Sequence, residues 1–293
     1  MEASLYRRLY RRVHSIAHPP RRPRERYTDH WVVTVYLWAA GHDRPTCWAC
    51  DPGHWPGDLD RPLPSPSRMS RRLRTVGVAQ LLERALAAAS DLFPVPLVKA
   101  IDSKPLTVGA YTKDKDAKRG RVADGQFGRG YRLHAVAHGR LVRHWTLLPL
   151  NAHDTAGAAA LLPKLEGGGY CLADNAFDSN DCYRLAAAAN HQLVAPPRGC
   201  NKGVRDTKYN CPGRLRGLDL TDSPLEKCGL PGAFGRGLYD LRQRIESGFG
   251  GLTLAGLGPL PPWARRPRRV ARWAAAKLLL FLWREAEKQG LMT

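Results

Sequence analysis

Acidic residues are scarce in this chain. Asp and Glu number 26 against 46 Lys and Arg, for a formal net charge of +20 over 293 residues. That imbalance points to a polyanionic partner, and nucleic acid is the obvious one. A GC-rich coding sequence would enrich Arg together with Ala, Gly and Pro, but it would not deplete the acids. Long apolar runs are also missing. The longest, Leu278 to Trp283, is closed by Lys277 and Arg284, so no segment reaches membrane-spanning length and no membrane partner is expected. No hydrophobic leader precedes the seven cysteines, whose number is odd and spacing irregular. Reduced thiols in a cytoplasm are therefore expected. The Arg-rich start has the charge of a mitochondrial transit peptide but few of its serines. A second short-spaced cysteine pair is absent as well. Cys47-Trp-Ala-Cys50 with His54 offers only part of a zinc set, since ten residues lie between Cys200 and Cys211. His134, His138, His144 and His153 share no spacing that would gather them as ligands, and satisfied or exposed histidines are expected.

The hydrophobic fraction of 43% suffices for a packed core, and the length suits one large domain or two ordinary ones. Residues 5–16 place Leu5, Tyr6, Leu9, Tyr10, Val13 and Ile16 on one helical face and four arginines on the other. A Pro/Arg stretch follows. Thr28 or Asp29 can cap a helix from about Trp31 to Ala40, and Ser67 can cap another. A further helix runs from Val78 to about Ser90, and the stretch between 41 and 66 reads as loop. Residues 1–95 are thus read as a small helical region, closed by Pro94 and Pro96.

From residue 97 the period changes. LVKAID, YRLHAVAH, LVRHWTLLPL, YCLAD and HQLVAP read as five strands. Asp154 can cap a helix through Leu165, and Ser179 the helix DCYRLAAAAN. Residues 198–235 read as a basic, mostly irregular insertion, 238–254 as a helix and 270–288 as a C-terminal helix. Three strands, helix, strand, helix, strand, helix is the order of a ribonuclease-H-like α/β fold with a mixed five-stranded sheet flanked by helices. Trp263, Trp273 and Trp283 are read as core residues.

Three acids occupy contexts that fit together. Asp102 in LVKAIDSKPL and Asp174 in YCLADNAFDS each end an apolar run, and Glu246 lies on a helix behind Tyr239 and Arg242. A carboxylate at the end of a buried strand needs a partner. Each of the three also has a plainer reading: Asp102 and Asp174 as turn or cap residues, Glu246 as half of an i, i+4 pair with Arg242. On a helical wheel of 100° per residue, Tyr239, Arg242, Glu246 and Thr253 fall within about 60°, beside a stripe of Leu241, Ile245, Phe249 and Leu252. Carboxylates so arranged can hold two divalent metals, a common solution for in-line displacement at phosphorus. Four basic segments, 7–26, 113–132, 198–216 and 265–272, flank the acids, and each could be a solvated face or part of a DNA path.

These motifs resemble the DDE transposases of bacterial insertion sequences. The resemblance rests on Ile101-Asp102-Ser103-Lys104, on Ala173-Asp174-Asn175-Ala176-Phe177-Asp178, and on Tyr239, Arg242 and Glu246 at the spacing Tyr-x2-Arg-x3-Glu. It covers residues 96–255, with 96–293 as the catalytic domain and 1–95 as a DNA-binding region. It implies Asp102, Asp174 and Glu246 as catalytic ligands of two Mg²⁺ (or Mn²⁺) ions. Tyr239, Arg242, Lys104 and Arg244 are expected to contact DNA. It also implies double-stranded DNA as partner at both transposon ends and target, action as a homodimer on DNA, and a place in the cytoplasm with the nucleoid. The signature continues to a Lys or Arg where this chain has Thr253. A Lys restored there is expected to add about one released counterion to DNA binding, unless an Arg such as Arg236 or Arg244 already fills the role. A metal-dependent nuclease of the same fold, a catalytically decayed DNA-binding copy and a basic RNA-binding protein stay open as alternatives.

Overall fold

The computed structural model describes residues 2–19, 25–57, 59, 61–109, 111–122, 125–139, 141–198, 205–222, 237–242, 250–253 and 256–292. The chain divides into two compact units. The first comprises Met1–Phe93, Ala255–Leu257 and Pro261–Thr293, the second Pro94–Leu254 and Gly258–Leu260.

The first unit is helical. It contains α1 (Glu2–His14), α2 (Asp29–Gly41), α3 (Pro66–Arg72), α4 (Val76–Asp91) and α8 (Pro267–Lys288). Helix α2 is its centre. Its sequence is apolar all round, so residues 31–40 are all buried, and such a helix must be surrounded. Thr28 caps it, accepting a hydrogen bond from the Trp31 amide at 3.1 Å. Ser65 rather than Ser67 stands at the cap of α3, because Pro66 supplies a first helical position that needs no donor. Helix α8, assigned from sequence to the second region, packs instead on α2 and α4. Trp273 and Trp283 belong to that core, each under 5% exposed, while Trp263 is half-buried. Cys50 donates to the Thr46 carbonyl and His54 Nδ1 lies 2.8 Å from the Trp48 carbonyl, so both are spent on their own turn. No group of three metal-ligating side chains occurs among the described residues. No helix among them is long and apolar enough to cross a membrane.

The second unit is a mixed α/β domain. Its strands are β1 (Val98–Thr107), β2 (Lys118–Arg121), β3 (Phe127–His138), β4 (Leu141–Pro149), β5 (Gly169–Leu172) and β6 (His191–Val194). They form one sheet in which β3 joins β1 antiparallel, β1 joins β5 parallel and β5 joins β6 parallel. Strand β4 pairs with β3 on its far edge, and short β2 pairs with the start of β3. The order β4-β3-β1-β5-β6 is the ribonuclease-H-like arrangement, with β2 as a sixth strand beyond the expected five. Helices α5 (Asp154–Leu161) and α6 (Asn180–Ala188) cover one face. Ile101, Val136, Cys171, Ala173, Phe177 and Leu193 form the core between them. Gly157 allows α5 to approach: a Cβ there would stand 2.2 Å from His134 Nδ1. Helix α7 (Pro212–Asp222) lies inside the segment read as mostly irregular. It forms because Leu218 and Leu220 bury against neighbours on α6 and β6, a tertiary gain that its glycines and weak periodicity conceal. Residues 237–242 and 250–253 are helical, within the span expected for the last helix of this domain.

Candidate active site

Strand register relates the first two acids. Ala100 pairs with Leu172 across the parallel β1–β5 ladder. Asp102 lies two residues beyond Ala100 within β1, and Asp174 two beyond Leu172, just past the end of β5, so a continuation of the ladder register would bring the two to one level. They also share a face. Side chains alternate along a strand, and Ile101, Cys171 and Ala173 all enter the α5/α6 core. Asp102 and Asp174 therefore project to the opposite face. Both are half-buried, where a carboxylate is partly desolvated but still reachable.

Local hydrogen bonds aim the two carboxylates. Asp102 Oδ1 accepts from the Ser103 amide at 2.7 Å. Asp174 Oδ1 accepts from the Ala176 amide at 3.0 Å, capping the single turn Asn175–Phe177. The cap and the site are thus the same residue: the turn that follows β5 fixes the side chain the site needs. Phe177 anchors this turn, fully buried in the core. Asp178 closes it. Its carboxylate takes both Nε and Nη2 of Arg214 at 2.7 Å and the Arg198 amide at 2.8 Å.

Tyr239 and Arg242 arrive from the last helix. The Tyr239 hydroxyl donates toward the Ala173 carbonyl at 3.4 Å, one residue from Asp174. Arg242 donates to that same hydroxyl at 2.9 Å, and its guanidinium lies 5.8 Å from the ring centre, an arrangement that fixes a cation beside the acids. The helical segment 250–253 touches β1, where the Lys104 ammonium donates to Thr253 Oγ at 2.5 Å. Lys104 is on the same face as Asp102, two residues along. Burial lowers its pKa from the ordinary lysine value. The position where the resemblance expects a cation is therefore next to one, supplied by a strand and not by the helix. Glu246, Arg244 and Arg236 lie outside the described residues.

Behind the acids, on the core face, is a polar cluster that the sequence did not announce. Asp154 does not cap α5; it is the first helical residue, and its Oδ1 accepts from Ser103 Oγ at 2.7 Å. Arg132 Nη1 is 3.5 Å from the same oxygen, and His134 Nδ1 is 3.6 Å from it. Both His134 ring nitrogens are buried without a hydrogen-bond partner, as is Nε2 of His138. These two are not the satisfied or exposed histidines that the sequence suggested. Burial holds His134 down at about 4, against the pull of Asp154, and His138 at about 3. The alternation of β3 carried the signal: residues 132, 134 and 136 share a face, and Ser103 pairs with His134.

The sequence pattern of the family described as a transposase DDE domain matches residues 94–279, well over half of the chain. Among curated proteins no sequence matches. The structure is similar to a piggyBac transposase synaptic complex with hairpin DNA, at a TM-score of 0.50 and 9% identity, over 96% of this chain and 72% of that one. A Mos1 mariner paired-end complex with Mn gives a TM-score of 0.21 and 13% identity, over 84% and 86% of the two chains.

Proposed function

We propose, from the premise that the chain belongs to the DDE transposase family, that it cuts DNA at the ends of a mobile element and joins the freed ends to target DNA. What supports this reading is that Asp102 on β1 and Asp174 just past β5 each follow the paired residues Ala100 and Leu172 by two positions, beside a helical segment that presents Tyr239 and Arg242.

Carboxylate oxygens are hard donors, suited to Mg²⁺ or Mn²⁺ and not to soft metals. Asp102 and Asp174 suit such a site, with Glu246, outside the described residues, as the third ligand. Bound there, a pair of divalent ions supplies activation of the attacking oxygen and stabilisation of the leaving one. The chain's own residues do the rest. The amides of Ser103 and Ala176 hold the acids in one rotamer. Arg242, steadied by Tyr239, and Lys104 bind phosphates on either side of the acids, with Arg244 a further contact. Water attacks the end phosphodiester first, breaking one P–O bond and freeing a 3′-hydroxyl. That hydroxyl then attacks a target phosphodiester, forming one P–O bond and breaking another. Joining two ends calls for two active sites, hence a dimer on DNA, acting where the bacterial nucleoid lies. The helical first unit would bind the transposon ends.

Thr253 does not by itself argue for a decayed copy, because the Lys104 ammonium is 2.5 Å away. The test is Asp102→Asn and Asp174→Asn. Each should abolish cleavage of element-end DNA in Mg²⁺ while binding stays within a few-fold of wild type. Cleavage at the wild-type rate in either variant would overturn the assignment, and cleavage without joining by the wild type would make the chain a nuclease.

A further inference from the structure

Strand β2 is not needed for the core. Of its four residues only Gly120 is buried, packed so that a Cβ would stand 2.4 Å from the Leu150 carbonyl. What the β2–β3 hairpin presents instead is charge. Cross-strand register pairs Arg119 with Arg129 and Arg121 with Phe127. By strand alternation all four side chains share one face, and all four residues are exposed, Phe127 at 64%. Like charges directly opposite each other destabilise a sheet. Yet the hairpin sets two guanidiniums opposite one another, and none of its three arginines pairs with a carboxylate among the described residues. Arg119 lies over the Phe127 ring, 5.7 Å from its centre. Of the nearby acids, Asp114 is buried and accepts from the Tyr131 hydroxyl at 2.9 Å. Asp124 lies outside the described residues. Three guanidiniums with no carboxylate partner among the described residues, and an aromatic ring, on one exposed face call for an anion with repeated charge and some apolar surface.

We infer that this hairpin face is a second contact to duplex DNA, gripping phosphates and sugar edges at a fixed distance from the acids. The inference rests on the transposase reading and adds to it a site outside the acid cluster. The distance follows from the strand. Asp102 pairs with Ala135, and Arg129 and Phe127 are six and eight residues back along β3. At about 3.3 Å per residue that is roughly 20 to 26 Å, or about six to eight base pairs of B-form DNA from the scissile phosphate.

The full-length triple variant Arg119→Ala/Arg121→Ala/Arg129→Ala is compared with wild type and with the triple Arg→Lys variant by salt titration on a random-sequence duplex of about 30 base pairs. Three lost phosphate contacts should lower the slope of log K against log salt by about 2.7, and the Lys variant should keep the wild-type slope. Hydroxyl-radical footprinting on a cleavable end should show protection about six to eight base pairs from the cut, lost in the Ala variant alone. Equal slopes for all three proteins, or protection unchanged in a folded Ala variant, overturn the inference. If the wild type cleaves DNA and the slopes are equal, the hairpin site fails alone. If the Ala variant loses slope but the wild type never cleaves, the catalytic reading fails and the hairpin site stands.

Discussion

Exchanging Lys104 and Thr253 tests how the site obtains its phosphate-binding cation. The Lys104 ammonium donates to Thr253 Oγ at 2.5 Å, so the two side chains converge on one point from a strand and a helix. Lys104→Thr removes one cation from that point. At about 0.9 released counterions per phosphate contact, the salt slope should fall by about 0.9, and affinity at about 0.1 M salt should drop about eightfold. Thr253→Lys alone should gain far less than the single counterion expected from sequence. A second ammonium would sit about 4 Å from the first, where repulsion amounts to about 1 kcal/mol in water and about 4 kcal/mol at a protein surface. Burial already disfavours the charged form of Lys104, and a second ammonium beside it would disfavour that form further. The double exchange, Lys104→Thr with Thr253→Lys, restores one cation to the same place and should return the slope to within about 0.3 of wild type. The assay is fluorescence anisotropy on one duplex between about 50 and 200 mM salt, with strand transfer measured in parallel. A folded Lys104→Thr variant with the wild-type slope would refute the argument. So would a double exchange as weak as the single.

Asp178→Ala should destabilise the protein by about 3–5 kcal/mol, read by chemical denaturation, because it strands the mostly buried Arg214 without its two-point partner; Asp178→Ala with Arg214→Met should recover part of that loss. Acid should unfold the chain early. His134 and His138 titrate at about 4 and about 3 when folded but near 6.5 when unfolded, so the stability that rests on their neutral rings is complete above pH 6.5 and is lost as pH falls toward 4. His138→Phe should flatten the melting temperature against pH over that window, and an unchanged profile would show that the buried ring is not responsible.

Much of this was legible in the residues themselves. Apolar runs of strand length and the caps at Thr28 and Ser179 are local properties, and local properties survive folding, but the strand read as LVKAID continues to Thr107, so Asp102 stands within β1 and not at its end. The strand order followed from the alternation of strands and helices, because parallel neighbours need a crossover helix. Other features depended on what arrived from elsewhere in the chain. Helix α7 reads as irregular until β6 and α6 give its leucines a place to bury. The C-terminal helix has the same sequence whichever unit it joins, and only packing on α2 and α4 decides. Asp154 scores as a cap by position but turns to Ser103 because β1 passes beneath it. Position 253 looks like a missing cation in one dimension, while in three the register of β1 brings Lys104 to it. Sequence fixes what a side chain can do, through its charge, shape and local periodicity. Which groups meet is settled by strand register and helix packing, since contacts between residues 149 positions apart leave no local pattern to read.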